Sequence, residues 1–122
     1  MELMNKLWAA AKADKRRIVL PEGDEERTIK ATGKIVELGL AKPVLVGDED
    51  VIRSKAKELD VNLTGVEVID PNKSDRLEAY INAFYELRKN KGMTIEKADK
   101  IVRDPLYFGT MMVKLDDADG MV

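Results

Sequence analysis

Three short runs of β-branched and aliphatic residues constrain this chain more than anything else in it. They are Arg17-Ile18-Val19-Leu20-Pro21, Pro43-Val44-Leu45-Val46-Gly47 and Val66-Glu67-Val68-Ile69-Asp70. The first two are apolar without alternation, so both of their faces must be covered. Each run ends at a proline, a glycine or an Asp-Pro step, and each is followed by a stretch of helical periodicity. Alternation of this kind builds right-handed βαβ units, and hence a parallel sheet with helices on both faces. The expected fold class is α/β, a three-layer αβα arrangement around a parallel sheet. Neither a linker nor a repeat beyond the βα rhythm divides it, so one domain is expected.

The helical stretches carry their own punctuation. A short opening helix is expected over Asn5 to Asp14, with Trp8 packing it against the domain. Asp24 to Leu38 forms the next, with acids in its first turn and the stripe Ile29, Thr32, Ile35, Val36 and Leu40. Gly39 suits the left-handed residue that closes it. Asp48 caps a helix to about Leu59 with Val51, Ile52, Ala56 and Leu59 inward, and Ser74 caps a long one to about Asn90. The stripe of that long helix is Leu77, Tyr80, Ile81, Phe84 and Leu87, and Gly92 ends it. Thr94 opens a helix with Ala98, Ile101 and Val102 inward. Asp104-Pro105, a cap followed by proline at the first helical position, opens the last, with Phe108, Met111, Met112 and Leu115 inward. A short final run, Ala118 to Val122, reaches the last residue and reads as an interrupted strand.

Composition then excludes chemistry. The 122 residues hold no Cys and no His. Thiol nucleophiles, Cys-ligated metals, imidazole bases and Ser–His–Asp triads are therefore absent. The two serines, Ser54 and Ser74, lie in no nucleophile elbow. With 21 basic against 23 acidic side chains the net charge is −2, which gives no basic surplus for nucleic acid or a membrane surface. The opening residues lack the apolar block of a signal peptide, and no run is long and apolar enough to span a bilayer. A cytoplasmic location is the expectation, with no partner of the nucleic-acid or membrane class.

Parallel α/β sheets bind ligands at the carboxyl ends of their strands. Those ends are Pro21-Glu22-Gly23-Asp24, Gly47-Asp48-Glu49 and Asp70-Pro71-Asn72. No dinucleotide fingerprint or phosphate-loop motif is present. Arg27 stands about one turn into the helix after the first strand. Its fork of donors suits phosphate oxygens, and the plain alternative is an (i, i+3) pair with Asp24. Arg88 continues the apolar stripe of the long helix. It either binds an anion in a cleft or snorkels to solvent at a helix end that favours a cation. Asp70 after the third strand permits a second functional class, a self-sufficient nucleotide-binding or receiver-like module with Asp70 as phosphoacceptor.

The segments Arg17 to Gly23 with Glu26-Arg27-Thr28, Tyr80 to Lys89, Lys91-Gly92-Met93-Thr94, Gly109 to Met112 and Ala118 to Val122 carry a resemblance over essentially the whole chain. It resembles phosphate acetyltransferases (phosphotransacetylases), and the first block is shared with related phosphate butyryltransferases. The resemblance implies a fold like that of isocitrate and isopropylmalate dehydrogenases, with two α/β domains and the active site between them. Residues 1–122 are then the N-terminal part of the first domain of a longer two-domain acyltransferase. The implied reaction is acetyl-CoA plus phosphate giving CoA plus acetyl phosphate, in a cytoplasmic, homodimeric enzyme. Coenzyme A is a substrate, with no bound cofactor and no metal. The resemblance assigns Arg27 to CoA binding and Arg88 to CoA phosphate binding. It assigns no catalytic residue to this stretch, since the family's serine, arginine and aspartate lie further on, so the stretch is expected to be inactive in isolation. Asp116 stands where the family usually has glycine.

Overall fold

A computed structural model describes residues 17–122. The expected opening helix, with Trp8, lies outside the described residues. In chain order the elements are β1 (Arg17–Leu20), α1 (Glu26–Leu38), β2 (Lys42–Val46), α2 (Glu49–Glu58), β3 (Glu67–Ile69), α3 (Leu77–Arg88), α4 (Ile95–Val102), α5 (Pro105–Lys114) and β4 (Gly120–Met121). Single 3₁₀ turns, Pro71–Lys73 and Lys89–Lys91, flank α3.

The four strands form one parallel sheet in the order β3-β2-β1-β4. The chain winds outward from β1 to β3 and then returns across the sheet to lay β4 beside β1. The winding direction therefore reverses between β1 and β4, the kind of position where open α/β sheets take ligands.

Successive strand residues point to opposite faces. Ile18, Leu20 and Leu45 enter one core with Ile29 and Ile35 of α1 and Ile52 and Ala56 of α2. Val19, Val44 and Val46 enter the other, with Tyr80, Ile81 and Phe84 of α3, Ala98 and Val102 of α4, and Phe108, Met111 and Met112 of α5. The expected three layers are present. Each aliphatic side chain buried this fully contributes about 1.5–3 kcal/mol.

Local chemistry fixes the helix ends. Asp48, Thr94 and Asp104 accept the N–H groups of Val51, Lys97 and Leu106 at the starts of α2, α4 and α5. Gly39, Asp60 and Asp116 take the left-handed conformation after α1, α2 and α5. In each case the following residue's N–H reaches back five positions, as Asp117 does to the Met112 carbonyl at 2.7 Å. Gly109 lets α5 sit close against the sheet. A Cβ there would lie 2.9 Å from Val19 Cγ1 and 3.1 Å from Met121 Sδ.

Several sequence expectations shift. Helix α1 begins at Glu26 rather than Asp24, because the Glu25 N–H donates to the Glu22 carbonyl in a preceding turn. Ser74 accepts the Arg76 N–H, and regular helix starts only at Leu77. Val51 is 42% exposed and Leu87 52%. Val51 sits one residue, about 100° of helix, off the Ile52–Ala56 line, while Leu87 lies in the last turn of α3, beyond the layer it covers. Among the described residues no helix is long and apolar enough to cross a membrane.

Candidate functional site

Helix α3 does not run back along the sheet as a simple crossover helix would. Near its start, the buried Tyr80 hydroxyl donates to Asp117, just ahead of β4 and so at the amino end of the sheet. One turn later, Phe84 packs edge-on against Tyr107 in the first turn of α5, with centroids 5.9 Å apart and planes at 79°. That turn of α5 lies toward the carboxyl end, since Gly109 behind it faces Val19 and Pro21 of β1. Arg88, ending α3, is therefore carried toward the carboxyl end of the sheet. Arg27 reaches the same end by a shorter route, in the first turn of the helix that follows β1. The two residues singled out from sequence stand on opposite faces of the sheet, α1 covering one and α3 the other.

Their surroundings separate them from the other arginines. Of the described arginines, Arg17 meets Glu67 at 2.5 Å, Arg53 meets Glu49 at 2.8 Å, Arg76 meets Asp117 at 3.0 Å and Arg103 meets Asp99 at 2.7 Å. Arg27 and Arg88 form no ion pair with another described residue, and both are exposed. The (i, i+3) pair of Arg27 with Asp24 does not form, because Asp24 precedes the helix. Arg88 instead lies over the Phe84 ring, its guanidinium carbon 5.4 Å from the centroid. Helix α1 also lacks the side-chain cap that α2, α4 and α5 have, so its first-turn amides beside Arg27 bond no capping side chain.

The loop before Arg27 is held tightly. The Gly23 N–H donates to the Val46 carbonyl at 3.2 Å, and a Cβ on Gly23 would come within 2.9 Å of that oxygen. Lys55 Nζ donates to the Asp24 carbonyl at 2.8 Å, tying the same loop to α2. The base of Arg27 is thus fixed to the ends of β1 and β2.

Sequence reasoning missed a second polar constellation. A cleft of about 600 Å³ runs beside the edge strand β3, and Arg17, Glu67, Arg76, Tyr80 and Asp117 are among the residues lining it. Asp117 accepts from both Tyr80 and Arg76, and its backbone carbonyl accepts from Arg17. The hydrogen bond from Tyr80, with Arg76 beside it, holds the Asp117 carboxyl below the usual carboxylate range. Burial, reinforced by Asp117, pushes the Tyr80 phenol up to about 12. These charges and donors satisfy one another, so the constellation clasps α3 to the α5–β4 connection. A tyrosine within an apolar stripe was the available signal, because a buried phenol needs a partner.

The receiver-like alternative fails on strand order. Receiver domains follow the order 2-1-3-4-5, which puts the third strand next to the first. Here β2 separates β3 from β1. Asp70 caps the following 3₁₀ turn by accepting the Asn72 N–H at 2.9 Å, and no cluster of three or more metal-ligating side chains occurs among the described residues.

Comparison with known proteins agrees with this architecture. The family model "Phosphate acetyl/butaryl transferase" matches residues 2–122. The phosphate acetyltransferase of Clostridium acetobutylicum is 53% identical over all of this chain, which covers 37% of that protein. That of Thermoanaerobacterium thermosaccharolyticum is 48% identical with the same coverage. Among solved structures, EutD phosphotransacetylase from Staphylococcus aureus superposes with a TM-score of 0.83 at 33% identity, over 98% of this chain and 36% of that one. The chain thus spans little more than a third of the length of the relatives it matches. With the match extending over nearly every residue and the parallel fold shared, the chain belongs to the phosphate acetyl/butyryl transferase family.

Proposed function

We propose that this chain is the N-terminal part of the first α/β domain of an acyltransferase that moves an acetyl group between coenzyme A and inorganic phosphate. The observation that supports this most directly is the pair of arginines without a carboxylate partner among the described residues, both toward the carboxyl end of a parallel sheet. A guanidinium with no internal counter-charge keeps its donor fork for an external anion. Arg27 and Arg88 then bind phosphate groups of CoA, and Arg27 does so beside the uncapped first turn of α1. Their contribution to the reaction is binding and orientation, which bring the thiol and the acyl phosphate into line. The base that activates the thiol and the donors that stabilise the oxyanion come from the remainder of the parent enzyme. In this reading acetyl-CoA, CoA, phosphate and acetyl phosphate are the partners, coenzyme A acts as a substrate, and the parent is a cytoplasmic homodimer.

Calorimetric titration of the chain with CoA tests the reading. Arg27→Gln and Arg88→Gln should each weaken binding about ten-fold, the scale of one lost hydrogen bond to a charged group. Added salt should weaken the wild type more than either variant. Incorporation of phosphate on Asp70 from acetyl phosphate and Mg²⁺, with no CoA binding, would overturn it in favour of a phosphoacceptor.

A further inference from the structure

Arg88 sits in an unusual setting for a cation. Its guanidinium lies over the Phe84 face at 5.4 Å without a described carboxylate beside it, whereas Arg17, Arg53 and Arg103 meet carboxylates and Arg76, over the Tyr80 ring at the same distance, also pairs with Asp117. Phe84 is itself part of the core, 5% exposed, so its ring cannot swing away. Tyr107 meets it edge-on and fixes the plane of the ring. Around this stack Leu87, Leu106 and Tyr107 are all exposed. A carboxylate in this place would hold the guanidinium more strongly, and it would also neutralise it. An aromatic face holds it by attraction to the ring quadrupole and leaves all five N–H donors and the full charge outward.

We infer that Phe84 is a positioning residue for Arg88, a rigid ring braced by Tyr107 that aims an uncompensated guanidinium at a phosphate group. Phe84 itself touches no ligand; it acts through Arg88. The inference rests on the reading of Arg88 as a phosphate-binding residue, and it makes a claim about the unliganded chain as well as about binding.

Two measurements on the same chain separate those claims. In the free protein, NMR should find the Arg88 side-chain protons shifted upfield by the Phe84 ring. The shift should persist in Phe84→Tyr and collapse in Phe84→Leu. Arg88 resonances at ordinary positions in the wild type would overturn the inference without any variant needing to fold. In CoA titrations, Phe84→Leu should weaken binding about two- to five-fold, the range set by an exposed cation–π contact. Phe84→Tyr should restore it, and Phe84→Leu should add nothing in an Arg88→Gln background. Circular dichroism confirms that each variant is folded. Additive losses in the double variant would mean that Phe84 acts by general packing and would overturn the inference. A wild-type chain that shows the ring shift and binds no CoA would overturn the reading of the site instead, and would leave the positioning of Arg88 by Phe84 supported.

Discussion

Asp60 and Asp116 occupy the left-handed position after α2 and α5, at φ 56° and 63°, where α1 uses Gly39 at 63°. An L-residue bears a steric cost there, and a carboxylate also faces the negative end of the helix dipole. The Schellman bonds form regardless, so Asp116 takes the turn into β4 without a glycine. Glycine should relieve both costs, offset in part by its greater loss of backbone entropy. Asp116→Gly and Asp60→Gly are each expected to stabilise by about 0.5–1 kcal/mol, read as a rise in melting temperature. Tyr80 gives the opposite sign. Tyr80→Phe removes a donor to a charged and partly exposed acceptor, an expected loss of about 1–2 kcal/mol. The pH dependence has two flanks. Asp117 is depressed, so its contribution is present above the ordinary value of 3.8 and disappears as pH falls through the lower folded value. Tyr80 is raised, so its contribution holds below 10.0 and disappears as pH rises through about 12. Thermal melts across pH should show both flanks in the wild type and a weaker alkaline one in Tyr80→Phe.

Elements were legible where their causes are local. The apolar runs of β1 and β2 are recoverable from residue order because burial on both faces leaves no polar alternation to hide them. The caps Asp48, Thr94 and Asp104 bond amides two or three residues away, so their chemistry is written within a single turn. What sequence order does not carry is direction and distance. The partner of Tyr80 is Asp117, 37 positions on, and only that contact together with the one between Phe84 and Tyr107 shows that α3 runs toward the carboxyl end of the sheet. Arg27 and Arg88 were legible as candidates, while the missing Arg27–Asp24 pair was not, because it depended on where the first helical turn begins. Gly109 likewise looks like an ordinary glycine until α5 is laid on β1 and β4. Gly109→Ala is expected to push α5 off the sheet and cost about 1–3 kcal/mol, measured by denaturant unfolding. Equal stability would mean that Val19 and Met121 both give way at no cost.

At the scale of the molecule, one sheet divides two cores, and the strand order decides how they are held. Strands β1 and β2 each have a neighbour on both sides, while β3 and β4 each have one described neighbour. Val19, Leu45 and Val46 are fully buried, and they tie the α1–α2 layer and the α3–α5 layer to the same backbone. Neither layer can separate without exposing a face of β1 and β2. The edges are different: β3 has three residues and is only partly buried, and β4 has two. Opening an edge breaks few hydrogen bonds and uncovers little apolar surface, so it should occur at lower free energy than global unfolding. Hydrogen exchange should therefore rank the amides by strand. Val44 of β2, with Ile18 and Leu20 of β1, whose amides lie between the two central strands, should exchange only through global unfolding. Val68 and Ile69 of β3 and Met121 of β4 should exchange faster, with little dependence on denaturant. Because the arginines branch from helices that follow the central strand β1 and the edge strand β3, the same experiment compares their supports. Amides of the first turns of α1 should follow β1, and those of the last turn of α3 should follow the α3–α5 layer. Slowed exchange at both places on adding CoA would link the two ends through the ligand, whereas slowing at α1 alone would restrict binding to Arg27.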